Sequence, residues 1–212
     1  MNTVSADMKF MDVIRERHSV RYYDPAFKIP QEELKQMLEE ATLAPSSSNL
    51  QPWRFLVITD QADKEKLKAI AYGQQQVADA SAVIAVFGDL DSWQQTEKIY
   101  NRNVEIGAMD EATKDRMASH VKETYKNLPP EVARGIVLVD GGLVSQQFML
   151  AAKAHGYDTV PMGGYDSAKF KEEFNVPDRY VQVMLIAVGK AARAAHKTSR
   201  LTVDEVTAWN RF

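Results

Sequence analysis

A chain of mixed helices and strands built on one substantial core is what this sequence predicts. Three observations carry the expectation. Short apolar runs at residues 54–59, 82–87 and 181–188 have the length and branched-residue content of strands. Between them apolar residues recur at helical spacing, as at Leu34, Met37, Leu38 and Ala41. Finally, the 212 residues are 45% hydrophobic and 26% charged, with no repeat, low-complexity tract or linker, so a single domain over 1–212 accommodates them.

Taken in order, Phe10, Val13, Ile14 and Arg17 give a first helix over 8–17. Val20, Tyr22 and Tyr23 then favour extended backbone, and Pro25 prevents a return to helix. Pro30 followed by Glu32 and Glu33 marks the start of the second helix. After strand 54–59, residues 64–71 read as a modest amphipathic helix, and Gln74, Gln75 and Gln76 follow as three adjacent amides. Residues 82–87 read as a buried strand closed by Gly88 and Asp89. Residues 91–134 are the least apolar part and read as two mostly exposed helices broken at Pro129–Pro130, an excursion or lid.

Residues 131–155 form a largely buried helix containing Gly141 and Gly142, each costing roughly 1 kcal/mol relative to alanine. Close approach of a neighbouring helix or a flat ligand would offset that cost, and subunit contact is a further use. A short extended piece runs through Pro161, a helix follows over 167–174, and strand 181–188 is apolar enough to be buried on both faces. A short helix over 203–209 ends the chain.

Composition removes several function classes. Net charge is −3, which gives no electrostatic case for nucleic acid. Without cysteine there is no disulfide, thiolate nucleophile or cysteine-ligated metal, and a cytoplasmic setting follows more readily. His18, His120, His155 and His196 lack metal-ligand spacing, so no metal site is expected. No G-x-S-x-G elbow, P-loop or G-x-G-x-x-G is present. No signal-peptide run is seen at the N-terminus, and no stretch reads as the roughly 20 apolar residues of a membrane span. Difficult chemistry therefore needs a borrowed reagent.

Three stretches are candidates for holding one. Pro45-Ser46-Ser47-Ser48-Asn49-Leu50-Gln51-Pro52-Trp53 sets small hydroxyls and amides between two prolines, which push Ala44 and Gln51 toward extended backbone. It reads either as a plain loop or as a polar platform for a ring edge or sugar chain. In Arg17-His18-Ser19-Val20-Arg21 a two-residue period puts both guanidiniums and the hydroxyl on one side, suited to an anion, although a solvated basic patch would look the same. Pro161-Met162-Gly163-Gly164 would let backbone N–H groups approach a ligand, or would simply turn a strand into a helix.

Together these stretches resemble the FMN-dependent NAD(P)H nitroreductase family. Residues 17–21 look like its phosphate and flavin-edge motif, and Pro45, Ser46, Ser47 and Asn49 match its Pro-Ser-Ser loop. Residues 160–165 are similar to its flavin N5 loop, and Lys197-Thr198-Ser199-Arg200-Leu201 to its C-terminal phosphate site. The four motifs stand in the family's order. The resemblance implies an α+β fold of three α-β-α layers, with a central mixed, mainly antiparallel sheet wrapped by helices. It also implies an intertwined homodimer with two FMN sites at the interface. Two positions depart from the pattern. Gly73 stands where many relatives have asparagine, so Gln74 or Gln76 would supply the ring contact, and Thr198 stands where many have lysine.

By this resemblance Arg17, His18, Ser19, Lys197 and Arg200 serve the phosphate end, Arg21 the N1/C2-carbonyl edge, and Pro161, Met162, Gly163 and Gly164 the N5 edge. Ser46, Ser47 and Asn49 would come from the partner subunit. No side chain is expected to act as general acid, since hydride passes at flavin N5. The implied activity takes hydride from NADH or NADPH and reduces a nitroaromatic, quinone or related small acceptor by ping-pong turnover. A flavin store or sensor without turnover is the competing expectation.

Overall fold

A computed structural model describes residues 9–212. Its centre is β2 (Ala82–Asp89), buried along its whole length. Ala82, Ile84 and Val86 point to one layer while Val83, Ala85 and Phe87 point to the other. A strand apolar on both faces must be covered on both. With β1 (Trp53–Ile58), β3 (Asp158–Met162) and β4 (Tyr180–Gly189) it forms one sheet in the order β1-β2-β4-β3. Every neighbouring pair is antiparallel, with Ile84 between Val57 and Ile186. Among the described residues parallel pairing survives only as an isolated bridge between Ser19 and Thr159, which is what remains of the mixed sheet the resemblance implied.

One face is covered by α2 (Gln31–Ala41) and α7 (Pro130–Ala154), through Met37, Ala41, Val144 and Phe148 against Ile84, Val86 and Ile186. The other is covered by α3 (Gln61–Ile70), α4 (Gln75–Asp79) and α8 (Ser167–Glu173), through Leu67, Val77 and Phe170 against Val83, Phe87 and Leu185. Each fully buried aliphatic or aromatic side chain stabilises by about 1.5–3 kcal/mol, and the two clusters together make the expected three-layer core.

Two glycines let α7 lie directly on the sheet. A Cβ on Gly141 would stand 2.5 Å from Val183 Cγ2, and one on Gly88 would stand 2.6 Å from Val137 Cβ. The close approach expected at Gly141 is therefore to a strand rather than to a helix or ligand, and Gly142 faces open space within the chain.

Other expectations shift at the edges. The first helix is α1 (Phe10–Glu16), and Met8 lies outside the described residues. Helix α3 begins three residues early because the Asp60 side chain accepts from the Asp63 N–H. The amides after it form α4, a helix the sequence reading missed. Strand β4 is buried at Val181 and then continuously from Leu185 onward, with Gln182, Val183 and Met184 half-buried. The terminal helix, α9 (Val203–Val206), stops short of Trp209.

The polar stretch folds as α5 (Thr96–Glu105) and α6 (Glu111–Lys126) after a 3₁₀ turn at Ser92–Gln95. They share a small core of Ile99, Tyr100, Ala118 and Val121 that also buries Leu50. The membrane expectation needs correcting. By length and composition the 25-residue α7, with an 18-residue stretch of mean hydropathy 1.4, is long and apolar enough to cross a bilayer. Its packing against β1, β2, β3 and β4 and the buried Asp140 in its middle are those of a core helix.

Candidate active site

The loop after α2 is held in a conformation its residues do not choose alone. Ser47–Asn49 form a 3₁₀ turn, with Ser48 at φ 50°, Asn49 at φ 55° and Gln51 at φ 47°. Non-glycine residues in left-handed backbone cost about 1–3 kcal/mol each and persist only where neighbours over-determine them. Gln51 is thus not extended, as Pro52 alone would make it. Its N–H donates to Ser46 Oγ (3.1 Å), and its carbonyl accepts from Arg54 (3.2 Å). Arg54 is fixed in turn by the buried carboxylate of Asp89 at 3.0 Å, which also takes Arg179 at 3.4 Å.

Further up the loop, Ser47 donates its backbone N–H (3.1 Å) and its hydroxyl (3.2 Å) to the carboxylate of Asp140 on α7. Asp140 is only 2% exposed, and burial pushes its carboxyl above the usual range while the Ser47 bonds pull it back. Ser48 Oγ and Tyr125 OH are 3.0 Å apart, and Tyr100 OH donates to the Ser48 carbonyl at 3.4 Å. Ser47 and Ser48 therefore find their partners on α5, α6 and α7.

The arginine motif sits elsewhere, along β3. The Val20 N–H donates to the Thr159 carbonyl at 3.0 Å, and Ser19 bridges the same residue. Arg17 and Ser19 are half-buried and Arg21 is exposed. Neither arginine forms an ion pair among the described residues. Thr159 Oγ1, beside Ser19 in that bridge, is the one buried side-chain polar atom among the described residues without a hydrogen-bond partner. Exposed His18 shares a groove of about 350 Å³ with Val20, Arg15 and Arg193.

Alongside this motif the C-terminal segment begins. The Ala192 N–H donates to the Tyr22 carbonyl at 2.8 Å, Arg193 lies over the Tyr22 ring at 5.2 Å, and His196 meets that ring edge-on at 6.3 Å. Lys197 and Arg200 are exposed, and Arg200 donates to its neighbours Thr198 (2.9 Å) and Ser199 (2.7 Å) rather than joining Arg17.

At the far end of β3, Pro161 is half-buried and Met162 buried, while Gly163 and Gly164 are exposed. Their N–H groups have no acceptor among the described residues, and a Cβ on either would meet almost nothing. Helix α4 settles where the glutamines stand. Gln76 Nε2 donates to Gln74 Oε1 at 2.8 Å, and Gln74 Nε2 donates to the Gly164 carbonyl at 2.8 Å. A groove of about 360 Å³ opens beside Gly163, lined by Arg134, Tyr165, Ser167, Lys171 and Gln182.

One chain thus brings the arginine motif close to the C-terminal segment, and Gln74 to the glycine pair, but gives the serine loop a separate set of partners. Sequence reading missed Asp140, Tyr100, Tyr125 and the Arg54–Asp89 pair. Asp140 had a legible signal, being the one charged residue between Gly135 and Ala152.

Comparison with known proteins gives this geometry a context. The Nitroreductase family model matches residues 14–190. The Bacillus subtilis protein named "Putative NAD(P)H nitroreductase YdgI" is 49% identical over 202 residues, covering 94% of this chain and 97% of that one. The chain belongs to the nitroreductase family. An Exiguobacterium sibiricum member, described as a "putative nitroreductase in complex with FMN", superposes with a TM-score of 0.92 at 46% identity, covering 96% of this chain and 98% of that one. The Lactiplantibacillus plantarum protein named "CLA biosynthesis enone reductase" is 36% identical over 202 residues, covering 94% of this chain and 92% of that one.

Proposed function

We propose that the chain is a cytoplasmic FMN-dependent oxidoreductase that takes hydride from NADH or NADPH and passes it to a nitroaromatic, quinone or enone acceptor. The observation that carries this is the end of β3. There two exposed N–H groups, at Gly163 and Gly164, without an acceptor among the described residues, stand beside an amide-pinned carbonyl and an open groove. When bound, FMN supplies the two-electron hydride chemistry, with nicotinamide and acceptor using the site in turn.

The residues fit that cofactor. Arg17 and Ser19, half-buried and paired with no carboxylate among the described residues, would hold the phosphate through charge-assisted hydrogen bonds, with His18, Lys197 and Arg200 adding to the field. Arg21 would place its charge at the N1/C2-carbonyl edge, where preorganised positive charge favours the reduced state. The Gly163 and Gly164 amides would face N5, with Pro161, Met162 and Gln74 fixing their backbone. The groove beside Gly163 would admit the acceptor.

Pro45, Ser46, Ser47 and Asn49 complete the site from a second subunit. Two observations support this homodimer. The serine loop is bonded to α6 and α7 rather than to the arginine motif. In addition, large apolar side chains stand in the open on α1 (Phe10), on α7 (Val139, Leu143) and on the tail (Leu201, Trp209, Phe212). Such faces mark an interface.

The experiment is an anaerobic absorbance titration of the purified protein with NADH and then NADPH, with mass spectrometry of the released cofactor. Bleaching of a flavin band, restored by a quinone, is expected, with FMN as the released species. A colourless protein, FAD, or a flavin inert to both nicotinamides overturns the reading.

A further inference from the structure

We infer that Asp140 is a positioning residue for the serine loop. Fixed on α7, it holds residues 46–51 in the turn, left-handed at Ser48, Asn49 and Gln51, that presents them to the cofactor. The inference rests on the reading of that loop as a cofactor contact.

Asp140 lies in the middle of a helix whose inward positions are otherwise apolar or small, where a carboxylate is costly unless its oxygens are used. No cation pairs with it among the described residues, and its hydrogen bonds all go to one residue, Ser47, at the backbone N–H and the hydroxyl. Pairing both groups of Ser47 fixes that residue's direction immediately before the left-handed run Ser48, Asn49 and Gln51. The post itself cannot drift. One residue along, Gly141 is seated against Val183, and three residues back Val137 is seated against Gly88, so α7 cannot rotate or slide without a clash. The carboxylate is thus spent on loop geometry and touches no other group of the candidate site.

The test compares Asp140→Ala, Asp140→Val and Asp140→Asn with the intact dimer. Amide hydrogen exchange at residues 46–51 and the FMN dissociation constant are the two readouts. In the alanine and valine variants the Ser47 amide is expected to exchange at least tenfold faster, while α7 amides at 144–152 stay unchanged. FMN should bind at least tenfold more weakly. Asparagine retains an acceptor for the Ser47 N–H, so protection should persist and FMN affinity should stay within about threefold of the parent.

Valine matches the size of aspartate and keeps the test decisive should alanine not fold. A merely structural role predicts that valine, which removes a buried charge, leaves loop exchange and FMN affinity unchanged. That result overturns the inference, as does fast exchange with undiminished FMN binding. If the parent protein binds no FMN at all, the proposed function fails, while the exchange measurement still decides whether Asp140 sets the loop.

Discussion

Gln74 donates its side-chain amide to the carbonyl of Gly164, 2.8 Å away and 90 residues along the chain. Gln76 holds Gln74 in turn, so a buried amide on α4 orients the peptide next to the exposed glycine N–H groups. Gln74→Leu removes a hydrogen bond worth about 0.5–1.5 kcal/mol. Weaker FMN binding, by roughly two- to tenfold on that energy, is the expected outcome of fluorescence titration, with faster exchange of the Tyr165 amide. Unchanged affinity would mean that the glycine pair is held by something else.

Arg21 and Arg17 should separate two duties. Arg21→Met leaves Arg17 for the phosphate and removes a charge-assisted bond of about 1.5–3 kcal/mol at the ring edge. For a two-electron couple about 30 mV corresponds to 1.4 kcal/mol, so the midpoint potential should fall by tens of millivolts with binding largely kept. Arg17→Met should instead weaken FMN binding and leave the potential nearly unmoved. Potentiometric titration of both variants distinguishes these assignments from a solvated basic patch, which would show neither effect.

A seam between copies along α7 predicts that Val139→Arg yields a monomer that loses its flavin. Val139 is 64% exposed in the single chain, so the substitution costs the isolated fold little. Sedimentation at micromolar concentration, read at a flavin wavelength, checks both halves together. A flavin-loaded monomer would refute the shared site.

The paired glycines of α7 should respond in opposite ways. Gly141→Ala drives a methyl into Val183 and should destabilise by about 1–3 kcal/mol. Gly142→Ala meets nothing within 4 Å and should gain up to about 1 kcal/mol of helix propensity. Denaturant unfolding at a fixed protein concentration reads both. A loss at Gly142 would instead report a neighbour from the second subunit.

Lys64 gives the fold a pH signature. Its side chain is 0% exposed and donates to the Ala78 and Ala80 carbonyls at 3.2 and 2.6 Å. Burial first, and Lys28 second, lower its pKa to about 8. Between that value and the unfolded one, near 10.5, the unfolded chain holds the proton and the folded chain does not, so stability should rise with pH. Above about pH 10 the buried Tyr23, whose phenol is pushed strongly upward by burial, opposes the trend because only the unfolded chain ionises there. Urea midpoints from pH 7 to 10 should climb for the parent and flatten for Lys64→Met.

Much of this molecule was legible in its sequence. The strands showed because β1, β2 and β4 are short apolar runs bounded by turns, and β2 in particular carries apolar residues on both faces. Helix α4 escaped because five residues are too few to show a period. The motif residues could be named because each lies in a contiguous stretch. Asp140, Asp89 and Tyr125 could not be tied to the loop, since Asp140 and Tyr125 reach it from 93 and 77 residues away, Asp89 acts through Arg54, and only folding supplies the adjacency. Gln51 was misjudged for a related reason: a proline states a local preference, whereas Ser46 Oγ and Arg54 impose a tertiary one.

Leu50 belongs to two structures at once. It is the residue just after the strained turn, and its side chain is the loop's share of the small core between α5 and α6. Variation at Ile99, Ala118 or Val121 can therefore re-aim the serine loop by repacking around Leu50, without altering any residue of the four motifs. The surface helices become a tuning dial. On the proposed reading of that loop, homologues that keep all four motifs would diverge in cofactor grip through the stretch of sequence that looks least constrained.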